Sequence, residues 1–241
     1  MKFLFKKQKR PNNIFLIRHG ESIANVDIRI YKTIPDWKIT LTEKGHRQAE
    51  EAALILRQHI SAKANVGVYC SPFYRTRQTA LPILNQLKHY TFYEDPRLRE
   101  QEWGNYYDDE VYKHIIAQRK EFGSFFYRMP NGESGADVFD RISSFLNTLF
   151  RDFEEKRFTD VIIVTHGLAM RLFLMRWFHW PQEKFETLKN PSNCKIVRLV
   201  RKQRKYQLQT ELAKNIERVD CHLSSLDQLG SFFKDRIYKT F

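Results

Sequence analysis

Two adjacent side chains suited to phosphoryl chemistry follow a short apolar run near the start of the chain. The run 14–17 ends at Arg18 and His19, and Gly20 then allows the backbone to turn sharply. An unprotonated imidazole nitrogen is a good nucleophile, and a guanidinium binds phosphoryl oxygens in pairs. Neighbouring arginines disfavour the protonated imidazole, and a backbone carbonyl in the loop after Gly20 would select the attacking nitrogen. The pair predicts a His19 nucleophile with Arg18 as a phosphoryl ligand.

Further candidate ligands come from distant parts of the chain. Arg75 follows Ser71-Pro72 and supplies a second guanidinium for the phosphoryl oxygens. His166 lies directly after another apolar run, and we expect it to donate hydrogen bonds to the phosphoryl group, preferably as a cation. Asn25 adds an amide donor from the loop that carries His19. The remaining candidates for substrate contact are Ser22, Tyr31 and Gly167.

Protonation of a leaving oxygen requires an acid, and two glutamates are candidates. Glu100 and Glu102 lie together in the stretch 98–104, and either could act as the proton donor. A lone Arg-His pair is more often structural, but three loops that bring such groups together favour a catalytic site. The remaining histidines show no metal-ligand spacing such as HExxH, which argues against a metal hydrolase.

The elements that position these loops alternate along the chain. Apolar runs with β-branched residues predict strands, and amphipathic stretches predict helices, the first of them capped by Thr40 with Glu43. Alternation of this kind is typical of an α/β fold, a three-layer α/β/α sandwich with a mostly parallel central sheet. Ligands of such sheets bind beyond the carboxyl ends of the strands, where Arg18, Arg75 and His166 lie. The predicted strands are 14–17, 66–70, 90–93 and 161–164, with a hairpin of 194–200 and 206–209, and the helices are about 41–60, 74–87, 108–122, 136–153 and 168–178.

The composition fits a globular protein that meets anionic partners. The 241 residues are 42% hydrophobic and 14% aromatic, enough for a sizeable core in one large domain. The net charge of +13 favours anionic partners, although a merely soluble basic protein fits about equally well. No helix-turn-helix, stacking platform or zinc module points to nucleic-acid binding. The expected partner is a small phosphorylated metabolite or another phosphomonoester.

Cysteine use and hydropathy predict a cytoplasmic location. Cys70, Cys194 and Cys221 are odd in number and widely spaced, as expected for reduced thiols rather than disulfides. Charged residues interrupt the longest apolar region, so no membrane span is predicted. We divide the chain into a basic N-terminal tail (1–12), a catalytic domain (13–210) and a C-terminal extension (211–241). The extension has amphipathic helical features, and formation of a homodimer is one role that it allows.

Several short motifs together resemble the histidine phosphatase superfamily, the group that includes the cofactor-dependent phosphoglycerate mutases. The resemblance covers about residues 14–200, and the stretch 99–105 is similar to a phosphoglycerate mutase-like branch. It implies a parallel-dominated sheet between helices, a phosphohistidine at His19, Glu100 rather than Glu102 as proton donor, and no metal or other cofactor. The matching motifs are RHGE at 18–21 followed by Asn25, SPxxRxxQTA at 71–80, LxExxxG at 98–104 and HG at 166–167.

The same resemblance implies hydrolysis of phosphomonoesters. Residues 105–110 lack the basic and tyrosine pattern of the mutases, and the later paired arginines of a mutase are not evident, so hydrolysis is favoured over isomerisation. A phosphoglycerate mutase or a sugar bisphosphatase is the enzymatic alternative. The alternative of another class is a non-catalytic module that binds phosphorylated or polyanionic ligands.

Overall fold

A six-stranded sheet forms the centre of the computed structural model, which describes residues 10–104 and 109–214. Its strands are β1 (Asn13–Arg18), β2 (Val66–Cys70), β3 (Tyr90–Glu94), β4 (Asp160–Thr165), β5 (Ile196–Lys202) and β6 (Lys205–Leu208). They lie in the order β3-β2-β4-β1-β5-β6, with β1 to β4 parallel and the β5-β6 hairpin antiparallel. Strands β1, β2 and β4 are buried on both faces, which explains their continuous apolar sequences. The predicted α/β fold is confirmed.

Helices cover both faces of this sheet. The helices are α1 (Ile23–Val26), α2 (Glu43–His59), α3 (Tyr74–Leu84), α4 (Asp109–Phe122), α5 (Gly135–Lys156), α6 (Gly167–Phe178) and α7 (Gln182–Thr187). Successive residues of a strand point to opposite faces. Phe15 and Ile17 of β1 therefore pack with α2 and α3, whereas Ile14 and Leu16 pack with α5 and α6. The two apolar cores complete the predicted three layers.

The first long helix begins later than predicted. Its cap is Thr42, whose Oγ1 accepts a hydrogen bond from Gly45 N at 3.0 Å, so the prediction of Thr40 as the cap is wrong. The Thr40 carbonyl instead accepts a hydrogen bond from Ile23 N at 3.0 Å, and Leu41 forms an isolated β-bridge with the loop after β1. This pairing with a distant loop keeps 40–41 extended, and no local sequence pattern reveals it.

Other element boundaries differ less. Helix α3 ends at Leu84 rather than 87, where a tight turn follows, and α5 continues to Lys156 rather than 153. Helix α7 was not predicted, because its six residues are too few to show a helical period. Short 3₁₀ turns also escaped prediction; they span Ile28–Lys32, Asp36–Lys38 and Pro96–Leu98.

The segments that flank the sheet are partly packed against it. Pro11 is buried, and the Asn12 carbonyl accepts a hydrogen bond from Arg201 N at 2.8 Å. Cys70 and Cys194 are free thiols. Among the described residues, no helix is both long enough and apolar enough to cross a bilayer. Residues 1–9 of the predicted tail, the segment 105–108 and residues 215–241 of the extension, with Cys221, lie outside the described residues.

Candidate active site

Three loops converge at one edge of the sheet, as the sequence predicts. Strands β2, β4 and β1 are adjacent and parallel, so their carboxyl ends meet. Arg18 is in register with Thr165. Backbone hydrogen bonds carry the pairing into the loops, from His19 N to the Thr165 carbonyl and from Ser71 N to the Val164 carbonyl, both at 3.0 Å. The sheet itself therefore fixes where the candidate side chains begin.

His19 is buried, with one ring nitrogen engaged. Its Nδ1 lies 2.7 Å from the Gly20 carbonyl, which can only accept, so Nδ1 carries the proton and Nε2 keeps its lone pair. The His19 ring meets the His166 ring edge to face, with centroids 5.2 Å apart. Burial lowers the pKa of His19 well below 6.5, and the charges of Arg75 and Arg18 lower it further. The neutral, nucleophilic form is favoured.

The turn after His19 depends on a close approach between two backbone segments. A Cβ atom added at Gly20 would lie 2.5 Å from the Gly45 carbonyl oxygen, so a larger residue would push this loop away from α2. Gly20 N donates to Thr79 Oγ1 at 3.0 Å, which ties the turn to α3. The glycine therefore allows the loop that carries His19 to pack closely against α2.

Arg18 presents a buried donor toward the same space. Its Nη1 donates to the Pro191 carbonyl at 2.6 Å, while its Nε is buried and has no hydrogen-bond partner among the described residues. Burial lowers the pKa of Arg18, and the Glu100 carboxylate counteracts that shift. A buried donor without a partner is costly, so a ligand oxygen at this point would relieve the cost.

Arg75 extends from the first turn of α3 and is 3% exposed. Its Nη1 donates to the Asp36 carbonyl at 2.8 Å and to Asp36 Oδ1 at 2.7 Å, and its guanidinium lies over the Phe73 ring at 4.9 Å. An aromatic face and a carboxylate together fix the plane of the guanidinium. Sequence reasoning missed Asp36 and Phe73, because Asp36 lies in an irregular loop far from Arg75 in sequence.

His166 lies opposite His19 at the beginning of α6 and is fully buried. Its Nε2 lies 2.8 Å from Ser71 Oγ, and its Nδ1 is buried without a hydrogen-bond partner among the described residues. Burial lowers the pKa of His166 well below 6.5, with Arg75 and His19 contributing. The structure thus favours the neutral ring, whereas the sequence argument expected the cation. A phosphoryl dianion beside the ring would act in the opposite direction and favour protonation.

Glu100 reaches the site from the loop that follows β3. Its Oε2 accepts a hydrogen bond from Leu168 N at 3.2 Å, and its Oε1 accepts one from Ala169 N at 3.3 Å, in the first turn of α6. Glu102, the other candidate, is exposed and lines a neighbouring cavity. These hydrogen bonds hold the Glu100 carboxyl at the first turn of α6, which follows His166 directly, and favour Glu100 over Glu102 as the acid of the site.

Arg141 of α5 holds the Glu100 loop in place. Its Nη1 donates to the carbonyls of Arg97 at 2.6 Å and Arg99 at 2.8 Å, and its Nη2 donates to the Glu100 carbonyl at 2.9 Å. The same guanidinium forms two hydrogen bonds with Glu133. Sequence reasoning did not assign Arg141 a role. An arginine on the core side of an amphipathic helix was the signal that could have revealed one.

Asn25 and Ser22 form a small network in the loop after His19. Asn25 Oδ1 accepts hydrogen bonds from Ser22 N at 3.1 Å, Ser22 Oγ at 3.2 Å and Asn193 Nδ2 at 3.1 Å. Asn193 also donates to the His19 carbonyl at 3.1 Å. All three contacts engage Asn25 Oδ1, so the donor of this amide is Nδ2. The hydroxyl of Ser22 donates to Asn25, and contact between Ser22 and the substrate stays a prediction.

Gly167 and Tyr31 belong to separate elements, the first turn of α6 and the 3₁₀ turn Ile28–Lys32. A Cβ atom added at Gly167 would lie 2.9 Å from Asn190 Cγ, so the glycine allows α6 to pack closely there. Tyr31 is half-buried, and burial raises its pKa, with the neighbouring Asp36 carboxylate adding to the shift. Tyr31 lines the same cavity as Asp36 and Phe73.

The arrangement suits an oxyanion with three unshared oxygens. Two guanidiniums and two imidazoles lie together at this edge of the sheet, and two of the buried nitrogens, Arg18 Nε and His166 Nδ1, have no partner among the described residues. Within residues 10–104 and 109–214, no three His, Cys, Asp or Glu side chains are placed to share a metal ion. Buried guanidinium and imidazole donors suit the oxygens of a phosphoryl group, and the chemistry open to the arrangement is attack by His19 Nε2.

The sequence profile of the histidine phosphatase superfamily (branch 1) matches residues 14–212. The chain belongs to this superfamily, which confirms the resemblance carried by its motifs. It is 44% identical to the phosphoglycerate mutase-like protein AT74 of Arabidopsis thaliana, in a match that covers 77% of this chain and 64% of that relative. It is 30% identical to the broad-range acid phosphatase DET1 of Saccharomyces cerevisiae, over 85% of this chain and 90% of that protein.

Solved structures share the fold. A mycobacterial glucosyl-3-phosphoglycerate phosphatase superposes with a TM-score of 0.64 at 20% identity, over 84% of this chain and 99% of that one. This likeness confirms the phosphoglycerate mutase-like architecture predicted from the sequence. The chain spans 64% of the length of AT74.

Proposed function

We propose that this protein is a phosphatase that hydrolyses phosphomonoesters through a phosphohistidine at His19. The observation that carries the proposal is a buried imidazole with one free nitrogen, Nε2, surrounded by cationic and unpartnered donors. Membership of the superfamily and the presence of a named acid phosphatase among the relatives support the same chemistry.

In the first step, the lone pair of His19 Nε2 attacks phosphorus and the bond to the leaving oxygen breaks. Arg18, Arg75, His166 and the Asn25 amide hold the three unshared oxygens while their charge is redistributed. The Gly20 carbonyl stabilises the positive charge that develops on the imidazole through Nδ1–H. The role of these groups is to orient the phosphoryl group and neutralise its charge.

Glu100 acts on the leaving group and then on water. Its carboxyl proton passes to the departing alkoxide oxygen, which leaves as an alcohol. The resulting carboxylate accepts a proton from a water molecule whose oxygen attacks the phosphohistidine. The P–N bond breaks, inorganic phosphate leaves, and His19 and Glu100 return to their starting protonation states.

The experiment that tests this proposal traps the intermediate. Wild-type protein is mixed with a ³²P-labelled aryl phosphate and denatured at alkaline pH, because a phosphohistidine is stable in base and labile in acid. We expect label on the peptide that contains His19. His19→Ala should carry no label and should lose turnover at saturating substrate while keeping its circular dichroism spectrum.

A matched histidine controls for nonspecific effects. His89 is exposed and lies just before β3, at the end of the sheet away from the site, so His89→Ala should keep wild-type turnover. Wild-type turnover in His19→Ala would contradict the proposed nucleophile. Tight phosphate binding with neither turnover nor label would instead favour the non-catalytic binding module. Interconversion of phosphoglycerates, or selective release of one phosphate from a sugar bisphosphate, would favour the enzymatic alternatives.

We propose three further properties of the protein from its sequence. We propose that the reaction needs no metal or other cofactor, that residues 13–210 form the catalytic unit, and that the protein acts in the cytoplasm. We expect no nucleic-acid partner. We propose that residues 211–241 allow formation of a homodimer. Dialysis against a chelator should leave turnover unchanged.

A further inference from the structure

A cavity of about 550 Å³ adjoins the candidate active site. It begins where the phosphoryl site ends: Phe73 lines it, and the same ring packs against His166 with centroids 5.3 Å apart. Asp36 also lines it and holds Arg75 from that side. An ester bound with phosphorus near His19 would therefore direct its leaving group into this space.

The walls of the cavity are mainly aromatic and aliphatic. Ile115 and Met129 are buried within it at 5% and 1% exposure, and Trp103 lies beside Tyr112 with ring centroids 6.5 Å apart. The volume falls in the range of pockets that enclose drug-sized ligands, and apolar contact is their usual source of affinity. The other apolar side chains in the lining are Ile28, Ile34, Pro35 and Trp37.

The charges around the cavity do not favour a second anion. Of the described lining residues, two carry positive charge, and each is paired with a carboxylate: Lys32 with Asp109 at 3.6 Å and Arg99 with Glu133 at 2.9 Å. Of the two lining acids, Asp36 is paired with Arg75 at 2.7 Å, whereas Glu102 is exposed and adds negative charge to the cavity wall. A carboxylate or second phosphate beside Glu102 would meet a like charge, which is unfavourable in a partly desolvated pocket.

We infer that the substrate is a phosphomonoester of a bulky, uncharged, largely apolar alcohol whose body fills this cavity. The inference rests on the proposed phosphatase function and assigns it a substrate class. Small polyanionic esters such as phosphoglycerates would leave the apolar walls uncovered and place a carboxylate near Glu102.

The test compares esters whose alcohols have similar acidity, so that leaving-group chemistry does not decide the result. Wild-type kcat/KM is measured for 3-phenylpropyl phosphate, propyl phosphate and 3-phosphoglycerate. We expect the phenylpropyl ester to exceed propyl phosphate by about tenfold or more, because its ring is transferred from water to apolar walls. We expect 3-phosphoglycerate to be the poorest of the three.

Two variants attribute the preference to the cavity. Tyr112→Ala removes part of the aromatic wall and should lower kcat/KM for the phenylpropyl ester at least about threefold more than it lowers kcat/KM for propyl phosphate. Val111→Ala, on the same helix but outside the lining and 42% exposed, is the matched control. Glu102→Lys should raise kcat/KM for 3-phosphoglycerate relative to propyl phosphate. Glu121→Lys makes the same charge change at an exposed position of α4 outside the lining and should not.

Failure of the substrate class is distinguishable from failure of the proposed function. Equal kcat/KM for the phenylpropyl and propyl esters, or a preference for 3-phosphoglycerate, would overturn the substrate class while leaving the phosphatase intact. Absence of turnover on all three esters and on a generic aryl phosphate would overturn the phosphatase and the substrate class with it. Calorimetry with the phenylpropyl and propyl phosphonates measures the preference without turnover, and equal affinities would also overturn the substrate class.

Discussion

His19 and His166 are held neutral in a site built to bind an anion. Each imidazole is buried beside Arg75, and removal from water together with like charge opposes protonation of both rings. For His19 this keeps Nε2 available for attack near neutral pH. For His166 it opposes protonation of the ring in the absence of an anion, and a bound phosphoryl dianion would act in the opposite direction.

The same burial predicts that stability decreases in mild acid. Below pH 6.5, the ordinary value for histidine, the unfolded chain binds protons at His19 and His166 that the folded chain does not. The free energy of unfolding should therefore fall as pH falls through and below 6.5, by about 1.4 kcal/mol per pH unit for each histidine until the lowered pKa values are reached. Urea unfolding between pH 7.5 and 5 measures this slope.

His19→Ala should make that slope shallower, because one of the two buried imidazoles is gone. His89→Ala should keep the wild-type slope, since that ring is exposed. Identical slopes for wild type and His19→Ala would show that burial of this ring does not lower its pKa.

Helix α5 holds the loop after β3 in place, because Arg141 of this helix donates hydrogen bonds to the loop carbonyls. The Arg141 guanidinium donates hydrogen bonds to the carbonyls of Arg97, Arg99 and Glu100. It also donates two hydrogen bonds to the Glu133 carboxylate. Lysine cannot span this set, because a single ammonium lacks the planar fork. We therefore assign Arg141 a positioning role for the Glu100 carboxyl.

Arg141→Lys should weaken acid catalysis more than binding. We expect kcat to fall about 10- to 100-fold for alkyl phosphates, whose alkoxides need a proton, and much less for 4-nitrophenyl phosphate, whose phenolate leaves without one. The dependence of kcat on leaving-group pKa should steepen as it does in Glu100→Gln. Arg128→Lys, at an exposed arginine paired with Asp137, is the control. A uniform loss across all esters would indicate a purely structural role.

The beginning of α2 is fixed by Thr42, which joins the helix to the loop that carries His19. Its Oγ1 accepts from Gly45 N and also lies 3.0 Å from Glu21 Oε1. Thr42→Ala should lower the free energy of unfolding by about 1 kcal/mol, the usual cost of losing an N-cap. Thr40→Ala is the matched control and should cost less than about 0.5 kcal/mol, because Thr40 does not cap the helix. Chemical denaturation of both variants would show a reversed order if Thr40 were the cap.

At the scale of the whole molecule, the net charge of +13 acts on every approaching dianion. A field of this sign raises the encounter rate with phosphomonoesters, and salt screens it beyond about 10 Å at 0.1 M. We expect kcat/KM to fall several-fold, up to about tenfold, between 20 and 500 mM NaCl, with kcat at saturation nearly constant. Sucrose at matched osmolality controls for solvent effects. A kcat/KM that does not respond to salt would show that the charge lies away from the path to the site.

Most of the candidate site could be predicted from the sequence, because its residues follow recognisable buried strands. Arg18, His19 and His166 each follow a buried apolar strand, and Arg75 begins the helix after another. Buried strands are recognisable locally, and the rule that parallel strands carry ligands at their carboxyl ends then places these side chains together. The layered α/β fold followed from the same alternation of periods, because burial on two faces requires covering helices.

Only the tertiary structure decided what surrounds those four side chains. The pairing of Asp36 with Arg75, the hold of Arg141 on the Glu100 loop and the apolar cavity all join residues far apart in the chain. The capping of α2 by Thr42 also depends on tertiary contacts, because residues 40–41 pair with the loop after β1. Such contacts leave no periodic trace in sequence, since they depend on the relative position of loops that the sheet alone brings together.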